Sequence, residues 1–499
     1  MATVDKLLAQ DDTLQDLKDA VEEFSNNILA GNYVTSVNGI PVTPGTHDIS
    51  VTLFTLPEIR VITCPTATVR IVKGDTVLTP TNVNGVARCS VPELGYWTVY
   101  CTATLPTGDN ISATKYCAVN GNNLFTVTEQ WVYGALWNGS STTSLTRTDN
   151  AVGATFNAYY SGNTSYGSTF DQYYPWNKME EVVEGDDDWD IVSDYGDFIR
   201  IPKFYFQCEK AGSQITWKIS PFKHDSTWHC ARVFLEEDGE TEIESDYVYI
   251  AKWHCANNTL LSTASATPQV KKTRAQFRTS CHALGENVWM YDYAMYEAVT
   301  MLYIVETANF NSQAIIGYGC GNGSAVQACN AGGTFSYHTG TPYTERTTYG
   351  VSVKYRNIVG LWDNCLDSID GIVYRNENVY KSNARGHFTD SHTSTYTDGE
   401  ETKSVYTLVG TSGKSANYIT SFSVSSAVGF EGSTHPSTVG GSDSTYIPDL
   451  FYFATGDRVL SVGGAYSRSS INGMFFHNSF YSASSCNESN IGSRLQIIP

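Results

Sequence analysis

GDRVLSVGGAYSRSSINGMFFHNSFYSASSCNESNIGSRLQIIP, residues 456–499, closes the chain and differs in composition from everything before it. It opens as an apolar strand, Arg458-Val459-Leu460-Ser461-Val462, turns at Gly463-Gly464, and ends in a second apolar run, Leu495-Gln496-Ile497-Ile498. From Ala465 to Asn490 the residues are chiefly Ser, Asn, Tyr and Phe, and the formal charges are Arg468 and Glu488. Small hydrogen-bonding residues interleaved with rigid rings suit a binding surface, because Tyr and Phe bring contact area at little conformational cost. Composition alone leaves two readings: a binding surface held between two strands, or a Ser/Asn-rich surface loop with a few packed rings.

The order of these blocks carries more. VGG, a mixed polar and aromatic block, NGMFF, a second polar block and then Asn490-Ile491-Gly492-Ser493-Arg494-Leu495 resemble the variable C-terminal region of diversity-generating retroelement target proteins. That family has a C-type-lectin fold and many phage-encoded members. Trp137-Asn138-Gly139-Ser140-Ser141-Thr142-Thr143, Thr146-Arg147-Thr148-Asp149, Tyr174-Pro175-Trp176 and Ile201-Pro202-Lys203-Phe204-Tyr205 resemble its upstream half. Asn357-Ile358-Val359-Gly360-Leu361-Trp362-Asp363 stands where lectin-fold and formylglycine-generating-type domains carry a GN-W-E-W segment. The likeness runs as scattered motifs over about residues 125–499.

In that family mutagenesis at template adenines makes AAC and AAT codons hypervariable, and such codons reach Asn, Ser, Tyr, Phe, His, Arg, Ile, Ala and Cys but not Met or Glu. The resemblance therefore implies a variable, ligand-binding set: Ala465, Tyr466, Ser467, Arg468, Ile471, Phe476, His477, Asn478, Phe480, Tyr481, Ser482, Cys486 and Asn487. Met474 reads as scaffold, and Glu488 fits neither role. Gly463, Gly464, Gly473 and Gly492 are expected to serve as scaffold turns, with Arg494 as a buried polar anchor.

A chain of 499 residues exceeds one ordinary core. Aromatic residues at 13% against charged residues at 16%, with Gly, Ser, Thr and Asn throughout, predict a mostly β protein rich in loops. Residues 1–30 are expected to form a coiled-coil oligomerisation helix, with Val4, Leu7, Leu14, Leu17, Val21, Phe24 and Ile28 at heptad spacing. The seam does not fix the number of strands; the resemblance implies a homotrimer. Residues 31–45 read as a linker. Residues 46–120 carry short alternating strands, Ile49–Leu53, Thr68–Val72 and Tyr96–Tyr100, at the spacing of an immunoglobulin-like β-sandwich spacer. Residues 121–499 are expected to be an α+β, C-type-lectin-fold ligand-binding domain. Its internal helix is capped by Asp292 and runs through Met295, Val299, Leu302 and Val305 to Glu306.

A net charge of −20 argues against nucleic-acid or anionic-membrane partners, which need a basic face. The N-terminus shows no basic region leading into an apolar core, and no apolar run is long enough to span a bilayer, so neither a signal peptide nor membrane insertion is expected. Twelve cysteines are too sparse for a disulfide scaffold. The His-Cys neighbours at His229-Cys230, His254-Cys255 and Cys281-His282 lack the spacing of a zinc site, and Asp186-Asp187-Asp188-Trp189-Asp190 lacks that of a calcium loop.

Two enzyme readings compete. Formylglycine-generating oxidases use two cysteines five apart in the last segment, but Tyr481 and Ile491 stand at those offsets from Cys486. A glycan depolymerase needs converging carboxylates, for which Asp363, Asp367 and Asp370 are candidates. The expectation is instead a phage receptor-binding, tail-fibre-tip adhesin. It would have no catalysis or cofactor, be made in the host cytoplasm and carried on the virion. It would contact other tail or virion proteins through its N-terminal region and bind a host cell-surface protein or glycan.

Overall fold

The computed structural model describes residues 56–158, 167–264, 266–317, 319–321, 323–328, 352–468 and 471–499, with the paired strands Ser36–Val37 and Ile40–Pro41. The expected helix over residues 4–28 and the expected strand Ile49–Leu53 lie outside the described residues. Strands far outnumber helices, so the protein is mostly β.

Two four-stranded sheets face each other near the start of the described chain. One has the order Leu124–Glu129, Glu58–Thr63, Val86–Ser90, Asn82–Val83; the other is Thr76–Leu78, Thr68–Lys73, Gly95–Thr104, Asn110–Val119. Alternation drives the packing: Ile59, Val61, Val69, Ile71, Trp97 and Val99 point inward and are buried, while their neighbours in sequence point out. The first sheet takes in Leu124–Glu129, beyond residue 120, because that strand pairs in parallel with Glu58–Thr63.

Beyond them lie three further sheets. A five-stranded sheet runs Thr146–Asp149, Tyr133–Trp137, Gln214–Ser220, Tyr205–Ala211, His229–Cys230. A four-stranded sheet runs Phe198–Pro202, Tyr247–Ala251, Leu495–Ile497, Val288–Met290, so the C-terminal strand sits inside it. A nine-stranded sheet has the path Thr407–Thr411, Asn378–Lys381, Leu366–Arg375, Asp457–Val462, His477–Ser479, Ile447–Phe453, Asn417–Val424, Thr434–Val439. Its ninth strand, Ile491–Gly492, lies parallel to Leu366–Asp367.

Two longer helices bridge these sheets. Helix α1, Arg274–His282, begins with a capping box in which Thr273 and Gln276 satisfy each other's backbone amides. Helix α2, Tyr293–Thr307, is capped by Asp292, whose carboxylate accepts the Met295 amide at 3.0 Å. The sequence predicts one apolar face for α2, whereas the helix is buried almost all round, packed against strands of both the five- and the nine-stranded sheets. Its two glutamates are accordingly paired inside. Glu297 accepts from Lys381 at 3.2 Å, Ser433 at 2.6 Å and the Thr434 amide at 2.7 Å; Glu306 accepts from Arg356 and from the Tyr355 hydroxyl at 2.9 Å. Carboxylates so deep persist only with such partners.

Candidate ligand-binding surface

The last segment threads both C-terminal sheets, and each crossing fixes one end of a loop. Asp457–Val462 lies between Leu366–Arg375 and His477–Ser479. The chain then turns at Gly463, where φ is +87° and a Cβ would run into the Leu361 carbonyl oxygen. The following loop is cross-braced by Asn472, whose side chain accepts the Ala465 amide at 3.1 Å and donates to the Ala465 carbonyl at 3.0 Å. It returns to the core through Met474, whose amide donates to Ser312 Oγ at 3.0 Å, and Phe475, whose amide donates to the buried Asp449 carboxyl at 2.8 Å. At Gly473 any side chain would occupy the space of that carboxyl group. Gly464 and Gly492 are buried too, Gly464 against Asn472 and Gly492 against Gln269 and Cys365.

The second loop, from Phe480, is closed by Ser482, whose carbonyl accepts the Ser485 and Cys486 amides at 3.1 and 3.0 Å. Its far end is pinned by Arg494. This side chain is 0% exposed and donates to Asp367 Oδ2 at 2.8 Å, and to the carbonyls of Ala251, Val359 and Gly360 at 3.2, 3.2 and 3.3 Å. One guanidinium thus ties the terminal strand to three other segments.

Between the loops lies a small separate core of Leu366, Val459, Ala465, Phe476, Cys486 and Ile491, rimmed by Leu450, Tyr452, Ile471, Tyr481 and Ala483. This divides the expected ligand-binding set. Tyr466, Ser467, Arg468, Ile471, Phe480, Tyr481, Ser482 and Asn487 are half-buried or exposed, Phe480 by 51%. Ala465, Phe476, His477, Asn478 and Cys486 are buried, a correction to their assignment as display positions. Ala465, Phe476 and Cys486 build the small core. His477 and Asn478 belong to a strand flanked on both sides in the nine-stranded sheet. Burial holds the His477 imidazole well below its ordinary range, at about 4, and pushes the Cys486 thiol up.

The outward residues form a shallow, weakly charged face. Phe480 and Tyr481 meet edge to face with centroids 5.4 Å apart. Arg468 donates to the Tyr452 hydroxyl at 2.7 Å and lies 4.8 Å from the centre of its ring. Tyr452 and Leu450, from Ile447–Phe453, extend this face and were missed by a reading that began at Gly456; the signal was an aromatic strand directly upstream. On the other flank the Tyr466 amide donates to the Asn364 carbonyl at 2.9 Å, while Gly323 N donates to the Tyr466 carbonyl at 2.5 Å. Asn364 and Gln327 also exchange hydrogen bonds of 3.0 and 2.8 Å. The segment at Gly323 therefore abuts the first loop.

The carboxylates considered for glycan cleavage are buried and engaged. Asp363 Oδ2 accepts the Cys320 and Val353 amides at 2.8 and 3.1 Å, and burial pushes its carboxyl up to about 6. Asp367 holds Arg494, and Asp370 takes a bidentate pair from Arg278 at 2.6 and 2.8 Å. In the acidic run, Asp188 and Asp186 face Arg200 at 3.2 and 3.8 Å. Among the described residues no group of three or more His, Cys, Asp and Glu side chains is placed to hold a metal ion, and no helix is long and apolar enough to cross a membrane. No family model matches the chain, and no curated protein matches it.

Proposed function

We propose that this chain is a receptor-binding adhesin, borne on a phage tail, whose C-terminal face binds a host cell-surface protein or glycan. The observation that carries this reading is the division of the terminal segment. Fixed strands, Arg494 and the small core brace it from below, while Tyr466, Ser467, Arg468, Phe480, Tyr481, Ser482 and Asn487 reach its surface. Such a platform changes contact chemistry without changing its backbone. The mostly β architecture with two longer helices and long loops supports a C-type-lectin-like fold for residues 121–499, and the facing sheets before it support an immunoglobulin-like spacer. Shallow faces of this kind bind modestly one at a time, and a homotrimeric tip would raise avidity by effective concentration.

Two experiments test the reading. Phe480→Ala with Tyr481→Ala removes the ring pair at the edge of this face; host-cell adsorption of the purified chain falls at least tenfold while its fold, read by circular dichroism, is kept. Unchanged adsorption overturns the assigned face. Deep sequencing of codons 456–499 from a clonal population tests diversification: substitutions concentrate at the surface positions, while Gly463, Gly473 and Arg494 stay fixed. An invariant segment removes that part of the reading and leaves a fixed lectin.

A further inference from the structure

A second surface lies far from the terminal segment in sequence. In the sheet Thr76–Leu78, Thr68–Lys73, Gly95–Thr104, Asn110–Val119, the inward positions Trp97, Val99 and Cys101 fill the core. The residues between them face out. The register sets Tyr96 opposite Ala118, Thr98 opposite Tyr116, and Tyr100 opposite Thr114, so three tyrosines and a row of threonines share one face. Tyr96 is 77% and Tyr116 75% exposed, and Val77 extends the face on the far strand. None of the four strands contains an Asp or Glu, in a chain that holds 51 acidic residues. The charge facing out is Arg70, folded over the Tyr100 ring at 4.5 Å.

We infer that this face is a self-association surface, on which the same face of a second copy of the chain packs. Charge favours that occupant. Two copies at −20 each repel wherever acidic surfaces meet, and a whole sheet face free of carboxylates is where they approach without that cost. Identical tyrosine and threonine faces are self-complementary, as a two-fold contact requires. Two sheets stacked face to face sit about 10 Å apart with rings interleaved. Strands of ten, ten, six and three residues, at about 3.3 Å per residue and about 4.8 Å between strands, give roughly 450 Å² per copy and about 900 Å² per pair. Permanent dimers bury more, so this contact is weak and responds to concentration.

The test is tyrosine nitration of the purified full chain over a hundredfold range of concentration, with sites read by peptide mass spectrometry and assembly mass by sedimentation. Nitration of Tyr96 and Tyr116 is expected to slow severalfold as the assembly mass rises. Tyr116→Arg, at a solvent-facing position that leaves the melting temperature unchanged, is expected to return Tyr96 to its dilute rate. Equal nitration at every concentration overturns the inference. So does protection in a species of single-chain mass, which assigns the cover to residues 1–55, or protection that persists in Tyr116→Arg. Protection that appears only on adding host polysaccharide overturns it in favour of a glycan.

Discussion

Replacing Arg494 with Met keeps most of its volume and removes every polar contact that it makes. Asp367, 2% exposed, then loses the guanidinium at 2.8 Å and stays buried with a charge to accommodate. Three backbone carbonyls, one at Ala251 and two at the neighbouring Val359 and Gly360, lose a donor in the same step. Breaking one side of a buried ion pair costs about 3–5 kcal/mol, most of it the penalty on the stranded partner. At a slope of about 3 kcal/mol per molar urea, the unfolding midpoint drops by roughly 1–1.7 M. The assay is urea denaturation followed by tryptophan fluorescence, since Trp362, two residues beyond the Gly360 carbonyl that Arg494 holds, is fully buried. Adding Asp367→Leu to Arg494→Met removes the stranded charge and recovers part of the loss. A single-variant shift below about 0.3 M, or no recovery in the double variant, refutes the anchoring role assigned to Arg494.

Phe476→Ala opens a void in the small core and costs about 3–5 kcal/mol, whereas the half-exposed Phe480→Ala stays within about 0.5 kcal/mol; paired thermal melts separate them, and equal losses contradict the division of the loop. Gly473→Ala drives a methyl group into the Asp449 carboxyl, which burial pushes well above the usual carboxylate range, so soluble yield and melting temperature both fall. Burial lowers the imidazoles of His435 and His477 to about 3 and about 4. The unfolded chain therefore takes up protons first below pH about 6.5, so stability is full above that pH and declines as pH falls toward 4. His435→Gln flattens this slope in melts taken from pH 7 to 4, and an unchanged slope contradicts it. Asp363 acts in the opposite sense. Its folded value of about 6 lies above the unfolded one, so its contribution is full below about pH 4 and lost as pH rises through 6; Asp363→Asn removes that component from the same profile.

The strands of the terminal segment were legible because their apolar runs stand between glycine turns: the reading of Arg458–Val462 matches Asp457–Val462, and that of Leu495–Ile498 matches Leu495–Ile497. Asp292 was legible as a cap because an acceptor before an apolar periodic run has few other uses. The fate of Phe476, His477 and Asn478 was not, since a strand covered on both faces loses its period-two signature. Rings that pack and rings that bind also have the same composition. Helix α1 escaped notice because its buried face is Arg274, Phe277 and Cys281, and the guanidinium is buried on ion pairs that lie elsewhere in the sequence. Leu124–Glu129 fell outside the expected boundary because its partner, Glu58–Thr63, is remote along the chain.

The strand Leu495–Ile497 occupies an interior place in its sheet, between Tyr247–Ala251 and Val288–Met290, and is reached only after residues 463–494 have been read. A stop codon or a shift of frame anywhere from 463 to 494 deletes or garbles it. Two neighbouring strands are then left with unpaired backbone, and the buried Asp367 is left without Arg494. The terminal strand thus works as a checksum on the sequence before it. A defective message yields a chain that cannot complete this sheet, while an in-frame substitution at a surface position leaves the sheet and its anchor in place.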